Sequence, residues 1–474
     1  MSSNNIILFG DLTVAGFGEL EIIKLTIHQK VNEHTTMHLF ARIKNENADG
    51  YLERLVLNES ITIVRDGKPI YVGLLLEPKA VRIDSVSCVD INSVSLTYLM
   101  DIDKKSRSFQ HTPMTYKEVQ DIVTDNSVYP KASFIDFVSN GRNIGRPIIQ
   151  YWETDWEFLR RLSTHFHSVL VPSSRMDGPA YYFGLPNKEA VDIKALNYKE
   201  TWDFNEYKHI SAEVPSVTPL DFTIFEAEVF DIYELGQKAM FNGVACYIGE
   251  TTFSYENSII RNMCRFYQKN GLSTLHMPNL NIAGCSIFGK VIATARDVIK
   301  IHLDIDEEQK LGEAYWYPYA TMYASQGEVG WYCMPEIDDV IRLYHPNGDE
   351  GLAMTINAIK PHPNNVVENL PPTHRMADVD VKYIRTAFGK EIKWRPDGID
   401  IIAKDNKVFV SMNDDGTIYV NADDKMSVTA VNDIVLKSKN INLEALERIE
   451  LKSKAGTIVM EEEITVHGEE VKTN

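Results

Sequence analysis

The stretch of sequence that decides the fold is IYVNADDKMSVTAVNDIVLKSKNINLEALERIELKSKAGTIVMEEEITV, residues 418–466. Within it, apolar and polar side chains alternate in short groups whose first residues recur roughly every eight positions. The groups are Ile418/Val420/Ala422, Met426/Val428/Ala430, Ile434/Leu436, Ile441/Leu443/Ala445, Ile449/Leu451, Ile458/Met460 and Ile464/Val466. Because side chains alternate between the two faces of a strand, each group predicts a β-strand with one apolar face.

This repeat is too thin for one chain to bury. Turn-forming residues separate the groups, and each strand offers only two or three small or branched apolar side chains. A fixed short period predicts stacking into a solenoid or an intertwined fibre, and three chains around one axis would place every apolar face inside. We therefore predict a trimeric β-helix or β-prism needle; the alternative is an ordinary curled sheet of a single chain. The predicted trimer core is Ile418, Val420, Met426, Val428, Ile434, Leu436, Ile441, Leu443, Ile449 and Leu451.

Composition and charge exclude several classes of protein. The chain has 474 residues, 44% of them hydrophobic, which is enough for roughly three domains with sizeable cores. A formal net charge of −19 argues against nucleic-acid binding, which needs a basic surface. The five cysteines are scattered, which predicts buried thiols rather than a disulfide framework or a zinc site. No membrane-length apolar run and no signal peptide are seen, so we expect synthesis in the cytoplasm.

Three regions and a linker can be distinguished along the chain. Residues 1–280 mix strands and helices, with helices predicted at 115–124 and 154–162. Thr154 is the predicted N-cap of the second helix, and Glu157 stands where a capping box requires it.

Residues 281–360 predict a small five-stranded barrel of the oligonucleotide/oligosaccharide-binding (OB) type. Its strands are predicted at 286–293, 298–305, 330–334, 339–344 and 354–359. Residues 361–380 are a proline-rich linker, and the needle occupies 381–474. The predicted fold class is therefore mainly β with some α.

Motifs in this order resemble the spike proteins of contractile injection systems: VgrG proteins of type VI secretion, phage hub–spike proteins and late control D proteins. The most specific motif runs from Gln150 to Leu162, and its characteristic residues are Trp152, Asp155, Trp156, Phe158 and Leu159. In the predicted barrel the corresponding residues are Trp331, Pro335, Asp339, Gly348 and Asp349. Asp338 stands where the family usually has glycine.

The resemblance implies a structural hub and membrane-piercing spike that joins an inner tube to a needle. Residues 1–280 would be the tube-attachment domain, with barrel-like lobes, and the small barrel an adaptor. The implied partners are two further copies of the chain, the inner tube or its initiator, baseplate wedge proteins, a small tip protein and the target-cell envelope. The protein would be assembled into a phage-tail-like particle and then become extracellular or injected.

No catalytic motif stands out in the chain. Glu153, Asp155 and Glu157 cluster in sequence, but acids at a helix start are simply favourable to its dipole. We predict no catalytic residue, no cofactor and no metal site, apart from His467, three copies of which could hold an ion at the tip of a trimeric needle. The alternative functions are a tail-associated envelope hydrolase and a trimeric receptor-binding fibre.

Overall fold

The computed structural model describes residues 12–44, 53, 55–57, 59–84, 86–195, 197–256, 259–324, 330–359, 378–404 and 407–460. Two compact units divide the chain, Met1–Pro361 and His362–Asn474. Strands predominate in both, and helices are few and short, which confirms the predicted mainly-β class. Within the described ranges, no helix is both long and apolar enough to cross a membrane.

A 12-stranded sheet forms the body of the first unit. The strands up to residue 267 are β1 (Leu12–Val14), β2 (Leu20–Lys30), β3 (Thr36–Ile43), β4 (Ser60–Arg65), β5 (Lys68–Ile83), β6 (Val86–Ser95), β7 (Lys104–Phe109), β8 (Ser133–Asp136), β9 (Ile148–Thr154), β10 (Leu170–Ser173), β11 (Ala180–Phe183), β12 (Val191–Ile193), β13 (Tyr198–Trp202), β14 (Thr223–Val229), β15 (Lys238–Phe241), β16 (Val244–Glu256) and β17 (Ile259–Tyr267). The order in the large sheet is β1-β4-β5-β6-β3-β2-β16-β17-β14-β13, with β15 beside β16 and β12 beside β15.

The large sheet repeats itself on either side of its central pair. β2 and β16 pair antiparallel, with Ile27 opposite Phe253. Outward from this seam, β3 and β17 come next, then β6 and β14, then β5 and β13, with antiparallel pairing throughout. One apolar core forms around Leu25 and Leu39 on one side, and another around Phe241 and Phe266 on the other. The first unit therefore contains two lobes built on one continuous sheet.

The α-helices of the first unit whose bounds are described are α1 (Tyr116–Val123), α2 (Asp155–Thr164) and α3 (Phe204–Ile210), and residues 53 and 55–57 are also helical. The two helices predicted from sequence are α1 and α2. Thr154 caps α2 as predicted: Glu157 N–H donates to Thr154 Oγ1 at 3.1 Å, and Thr154 N–H donates to Glu157 Oε2 at 2.9 Å. α1 and α2 share a third apolar core with strands β10 and β11.

A separate five-stranded sheet follows within the same unit. Its strands are β18 (Ser286–Ala295), β19 (Val298–Leu303), β20 (Tyr317–Pro318), β21 (Val340–Tyr344) and β22 (Met354–Ile359), in the order β20-β19-β18-β21-β22. Four of the predicted strands are present. β20 and β22 are the two edge strands in this order. The Thr355 hydroxyl donates to Pro318 O at 2.9 Å and so links the two edges.

The prediction of a strand at residues 330–334 is wrong. Gly330 makes only an isolated bridge to Ala324, and no strand includes Trp331. The fifth strand is β20, because its Tyr317 fills the core position opposite Ile299. Aromatic residues favour strands, but here burial against the sheet decides which segment pairs.

The second unit begins with an antiparallel meander. Its strands are β23 (Lys382–Arg385), β24 (Glu391–Arg395), β25 (Gly398–Lys404), β26 (Val408–Asn413) and β27 (Ile418–Asn421), each paired with the next along the chain. A hairpin of β28 (Ile449–Lys452) and β29 (Thr457–Met460) follows.

Residues 422–448 contain no strand in the single chain, so the strands predicted at Met426/Val428, Ile434/Leu436 and Ile441/Leu443 do not form there. A strand needs a neighbour, and these segments find none within their own chain. Most of the linker and His467 lie outside the described residues.

Candidate functional site: a buried ion-pair junction and an exposed apolar repeat

Asp155, the first residue of α2, is a fully buried carboxylate that two cations neutralise. Lys105 Nζ donates to it at 2.6 Å, and the Arg107 guanidinium also donates to it. The Tyr129 hydroxyl donates at 2.7 Å and Gln150 Nε2 at 3.0 Å. Lys105 and Arg107 lie on β7, so this carboxylate joins the start of the helix to the β7–β9 pair.

The other residues of the Gln150–Leu162 motif divide between core and surface. Trp156, Phe158 and Leu159 are buried in the third core and fix the position of α2. Trp152 is 62% exposed and has a φ of +52°, a backbone conformation that is uncommon for an aromatic residue. The motif therefore builds the helix from three core residues and one buried charge, and it leaves one tryptophan on the surface.

A second buried charge, Arg161 in α2, joins the helix to the segment between β21 and β22, and the sequence analysis missed it. Arg161 donates to both carboxylate oxygens of Glu153, at 2.7 and 2.9 Å, and to Glu350 Oε1 at 2.8 Å. It also donates to Ile149 O at 2.9 Å. Burial raises the pKa of Glu153, and Arg161 opposes this. Glu350 is 189 residues from Arg161, so no local pattern reveals the pair.

Two of the barrel-motif residues belong to the same junction. Asp349 Oδ1 accepts from Arg146 Nη1 at 2.8 Å, and both side chains are partly exposed. Gly348 O accepts from Asn279 N–H at 3.2 Å. A Cβ on Gly348 would lie 2.9 Å from Pro278 Cβ and 3.0 Å from Asn279 O, so only glycine allows this approach. The 348–349 loop therefore closes the contact between the two parts of the unit.

The remaining barrel-motif residues form a turn before β21. Pro335 is buried, and Asp339 Oδ2 accepts from Glu336 N–H at 2.9 Å. Asp338 has a φ of +70°, in the left-handed region that glycine enters at least cost. Trp331 is exposed, and its indole N–H points to Cys333 Sγ at 3.0 Å. The turn geometry thus explains why a glycine would suit position 338.

The acidic residues at the start of α2 each have a structural partner. Glu153 pairs with Arg161, Asp155 with Lys105, and Glu157 forms the capping box. Among the described residues, no three His, Cys, Asp or Glu side chains converge to hold a metal ion. The carboxylates at the start of α2 are therefore engaged in ion pairs and helix capping, which fix the helix to its neighbours.

His165, at the C-terminal end of α2, is expected to make the stability of the first unit depend on pH. Burial and the neighbouring Arg161 lower the pKa of His165 to about 2. The Tyr116 hydroxyl lies 2.8 Å from its Nδ1, and the His276 ring lies 4.9 Å away. Because the folded protein keeps His165 neutral, its contribution to stability is complete above the unfolded pKa of about 6.5 and is lost as the pH falls from there towards 2.

We expect His165 to remove up to about 2 kcal/mol from the free energy of unfolding between pH 7 and pH 5. Urea unfolding at a series of pH values measures this. His165→Gln should flatten the curve between pH 6.5 and 5, and His209→Gln, at an exposed histidine, is the matched control variant. Equal slopes for the wild type and His165→Gln would show that other groups cause the pH dependence.

The residues predicted to form the trimer core are largely exposed in the single chain. Ile418, Val420, Met426, Val428, Ile434, Leu436, Ile441, Leu443 and Leu451 show 49–70% of their surface, and Ile449 is half-buried. Soluble monomers rarely expose apolar side chains in such a continuous series. The repeat therefore presents an apolar surface that its own chain does not cover.

The same apolar surface begins earlier than the sequence analysis placed it. The pairing register of β23–β27 brings nine apolar side chains to one face of the meander. They are Ile384, Ile392, Trp394, Ile399, Ile401, Val410, Met412, Ile418 and Val420. The signal was present as alternation in Glu391–Arg395 and Gly398–Ile402. We call this set the apolar face.

Comparison with solved structures identifies the fold. No family model matches the chain, and no curated protein matches it. The E. coli c3393 protein, a component of the type VI secretion system with structural similarity to the T4 phage tail proteins gp27 and gp5, aligns with a TM-score of 0.54 at 9% identity, over 74% of this chain and 99% of that one. A chain of the Francisella PdpA–VgrG complex aligns with a TM-score of 0.53 at 10% identity, over 85% and 84%. The chain therefore has the fold of spike and hub proteins of type VI secretion and phage tails, which confirms the predicted resemblance.

Proposed function

We propose that the protein is the structural hub and membrane-piercing spike of a contractile tail or injection system, which joins the inner tube to a needle that breaches the target envelope. The observation that supports this most directly is the exposed apolar repeat in a chain that has the hub–spike fold. In this proposal the β18–β22 sheet is the OB-like adaptor, and the chain from about residue 381 forms the trimeric β-helical needle. The protein acts mechanically and has no enzymatic step.

The active form in this proposal is a homotrimer. Burying one Val, Leu or Ile side chain stabilises a structure by about 1.5–3 kcal/mol, and each chain offers about ten in the repeat. Three chains around one axis cover these side chains without leaving an exposed strand edge. Because so much of the interface is apolar, the needle should not exist as a folded monomer.

The two lobes of the large sheet support a role in changing symmetry. β2–β3 and β16–β17 occupy matching positions on either side of the central seam. Three chains with two such lobes offer six similar surfaces, which suits a sixfold tube above a threefold needle. The tube, or the protein that initiates it, is the proposed partner of this ring.

The other proposed partners follow from the same role. Baseplate wedge proteins would surround the hub, a small tip protein would cap the needle, and the target-cell envelope would receive it. The protein would be made in the bacterial cytoplasm and assembled into a phage-tail-like particle before it becomes extracellular or injected. A net charge of −19 argues against nucleic acid as a partner.

Removal of the needle tests the proposed function. Deleting the chain from about residue 381 should leave a soluble first unit, because a compact unit with its own apolar cores can fold alone. Particles that carry the shortened protein should assemble, as seen by electron microscopy, but should lose penetration of target cells by at least about tenfold. Full-length protein supplied in trans is the control and should restore penetration. Assembled particles that penetrate normally without the needle would refute the proposal.

A further inference from the structure

We propose that a cleft in the first unit, at the end of strand β10, is a binding site for a carboxylate carried on a short apolar carbon chain. The cleft has a volume of 100 Å³ and lies between the end of β2, residues 172–176, strand β11 and residues 234–235. A water molecule takes up about 30 Å³ in the liquid, so the cleft has room for a carboxylate and a few carbon atoms. It lies wholly within the first unit, so its function is separate from that of the proposed needle.

Hydrogen-bond donors predominate in the wall of the cleft. Arg175 has five N–H groups. Among the described residues it makes two long hydrogen bonds, from Nη1 to Glu234 Oε1 at 3.2 Å and from Nη2 to a backbone carbonyl at 3.4 Å. The Ser173 hydroxyl has no partner in the described part of the chain, and the Tyr182 hydroxyl accepts from Lys188 Nζ at 3.2 Å, which leaves its own proton free to donate. Such a set of donors suits an anion.

The charges around the cleft leave one positive charge in excess. Glu234 is the shared partner of two cations: Lys188 Nζ donates to its Oε2 at 2.9 Å, and Arg175 donates to its Oε1. Burial lowers the pKa of Arg175, and the attraction of Glu234 only partly opposes this. A carboxylate carries the single negative charge that this excess requires, whereas a phosphate would bring a second charge towards Glu234.

The floor of the cleft is fixed before any ligand arrives. Gln29 Nε2 donates to Ser174 Oγ at 2.8 Å, and the Thr251 hydroxyl donates to Gln29 Oε1 at 3.1 Å. Val72 N–H donates to Ser174 O at 2.6 Å. Ser174 directly precedes Arg175, so strands β2 and β5 hold the backbone that carries the guanidinium group. A site that is ordered in advance loses less entropy when a ligand binds.

Apolar side chains beside these donors define the rest of the ligand. Pro172 and Leu235 are buried, and Met176 is 51% exposed at the mouth of the cleft. A carboxylate that meets the Arg175 guanidinium would therefore have its carbon chain against these apolar atoms. This chemistry has two sources, a free short-chain carboxylic acid and the C-terminal carboxylate of a polypeptide that ends in a small apolar residue.

Ligand-observed NMR titration of the full-length protein with butyrate tests the site. The wild type should bind butyrate with a Kd below about 10 mM. Arg175→Met should weaken binding at least about tenfold, because the charged donor is lost. Arg265→Met is the matched control and should bind as the wild type does, because Arg265 pairs with Glu226 and Glu250 and does not line the cleft.

A second variant should bind the probe more tightly than the wild type. Glu234→Gln keeps the shape of the side chain and removes the negative charge that opposes a bound carboxylate. We expect its affinity for butyrate to rise about tenfold. Damage to the fold cannot produce such a gain, so this variant tests the site even if Arg175→Met does not fold.

Peptide probes distinguish the two sources of the carboxylate. If N-acetyl-alanylvaline binds at least about tenfold more tightly than butyrate, the natural ligand is a chain terminus; equal or weaker binding of the peptide supports a free small acid. The C-terminal amide of the same peptide should not bind, and binding equal to that of the acid would refute recognition of a carboxylate. Inorganic phosphate that binds more tightly than butyrate would refute it as well.

Three results would refute the site itself. The first is that neither butyrate nor the peptide acid binds the wild type at about 10 mM. The second is equal binding of butyrate by the wild type and by folded Arg175→Met, which would place the ligand elsewhere. The third is weaker binding by Glu234→Gln, which would mean that Glu234 supports the ligand and does not oppose it.

Discussion

Replacement of Arg161 by methionine is expected to lower the free energy of unfolding of the first unit by about 3–5 kcal/mol. Methionine fills much of the same space but leaves the carboxylates of Glu153 and Glu350 buried without a cation. Removing one residue from a buried set of ion pairs lowers the free energy of unfolding by more than the whole set adds to it. The reason is that the remaining charges stay buried without an opposite charge nearby. Urea unfolding followed by tryptophan fluorescence measures the change, since Trp156 is buried on the same helix.

A second ion pair at the same junction supplies the control. Arg146 and Asp349 are both about two-fifths exposed, so Arg146→Met should cost about 1 kcal/mol or less. Adding Glu153→Gln and Glu350→Gln to Arg161→Met should recover part of the lost stability, because the uncompensated charges are then removed. A loss below about 1 kcal/mol for Arg161→Met alone would show that the buried carboxylates are reached by water or take up protons at little cost.

The second large effect is expected for Asp155→Asn, which keeps the shape of the side chain and removes its charge. Lys105 and Arg107 would then face each other without the carboxylate that both contact. We expect a loss of about 3 kcal/mol, measured by the same urea titration. Asp121→Asn, in the exposed pair with Lys117 on α1, should change stability by less than about 0.5 kcal/mol. Equal effects at the two positions would mean that burial does not govern the contribution of Asp155.

Local chemistry made parts of the fold predictable from the sequence. The capping box of Thr154 and Glu157 fixed the start of α2 to the residue, because its hydrogen bonds link positions three apart. Alternation of apolar residues likewise identified the exposed repeat from Ile418 onwards. Both signals lie within a few residues and need no knowledge of the tertiary structure.

Interactions between distant segments decided what the sequence could not predict. The fifth strand of the small sheet contains Tyr317 and not residues 330–334, because the Tyr317 side chain fits in the core beside Ile299. The pairing of Arg161 with Glu350 depends on a loop brought back to α2 by the whole fold. Alternation in Glu391–Arg395 and Gly398–Ile402 carries the signal of the apolar face, but only the pairing register shows that these strands place their apolar side chains on one face.

The seam between β2 and β16 has a mechanical consequence. Seven residue pairs join these strands, from Lys24 opposite Glu256 to Lys30 opposite Glu250. The large sheet is therefore continuous from one lobe to the other through this hydrogen-bonded ladder. A hinge between lobes would normally lie in a loop, but here bending would have to shear or peel this ladder. Backbone pairs loaded along the strand direction break together and not one after another. If the protein acts as the proposed hub, a push delivered to either lobe would therefore be resisted by all seven residue pairs of this ladder together.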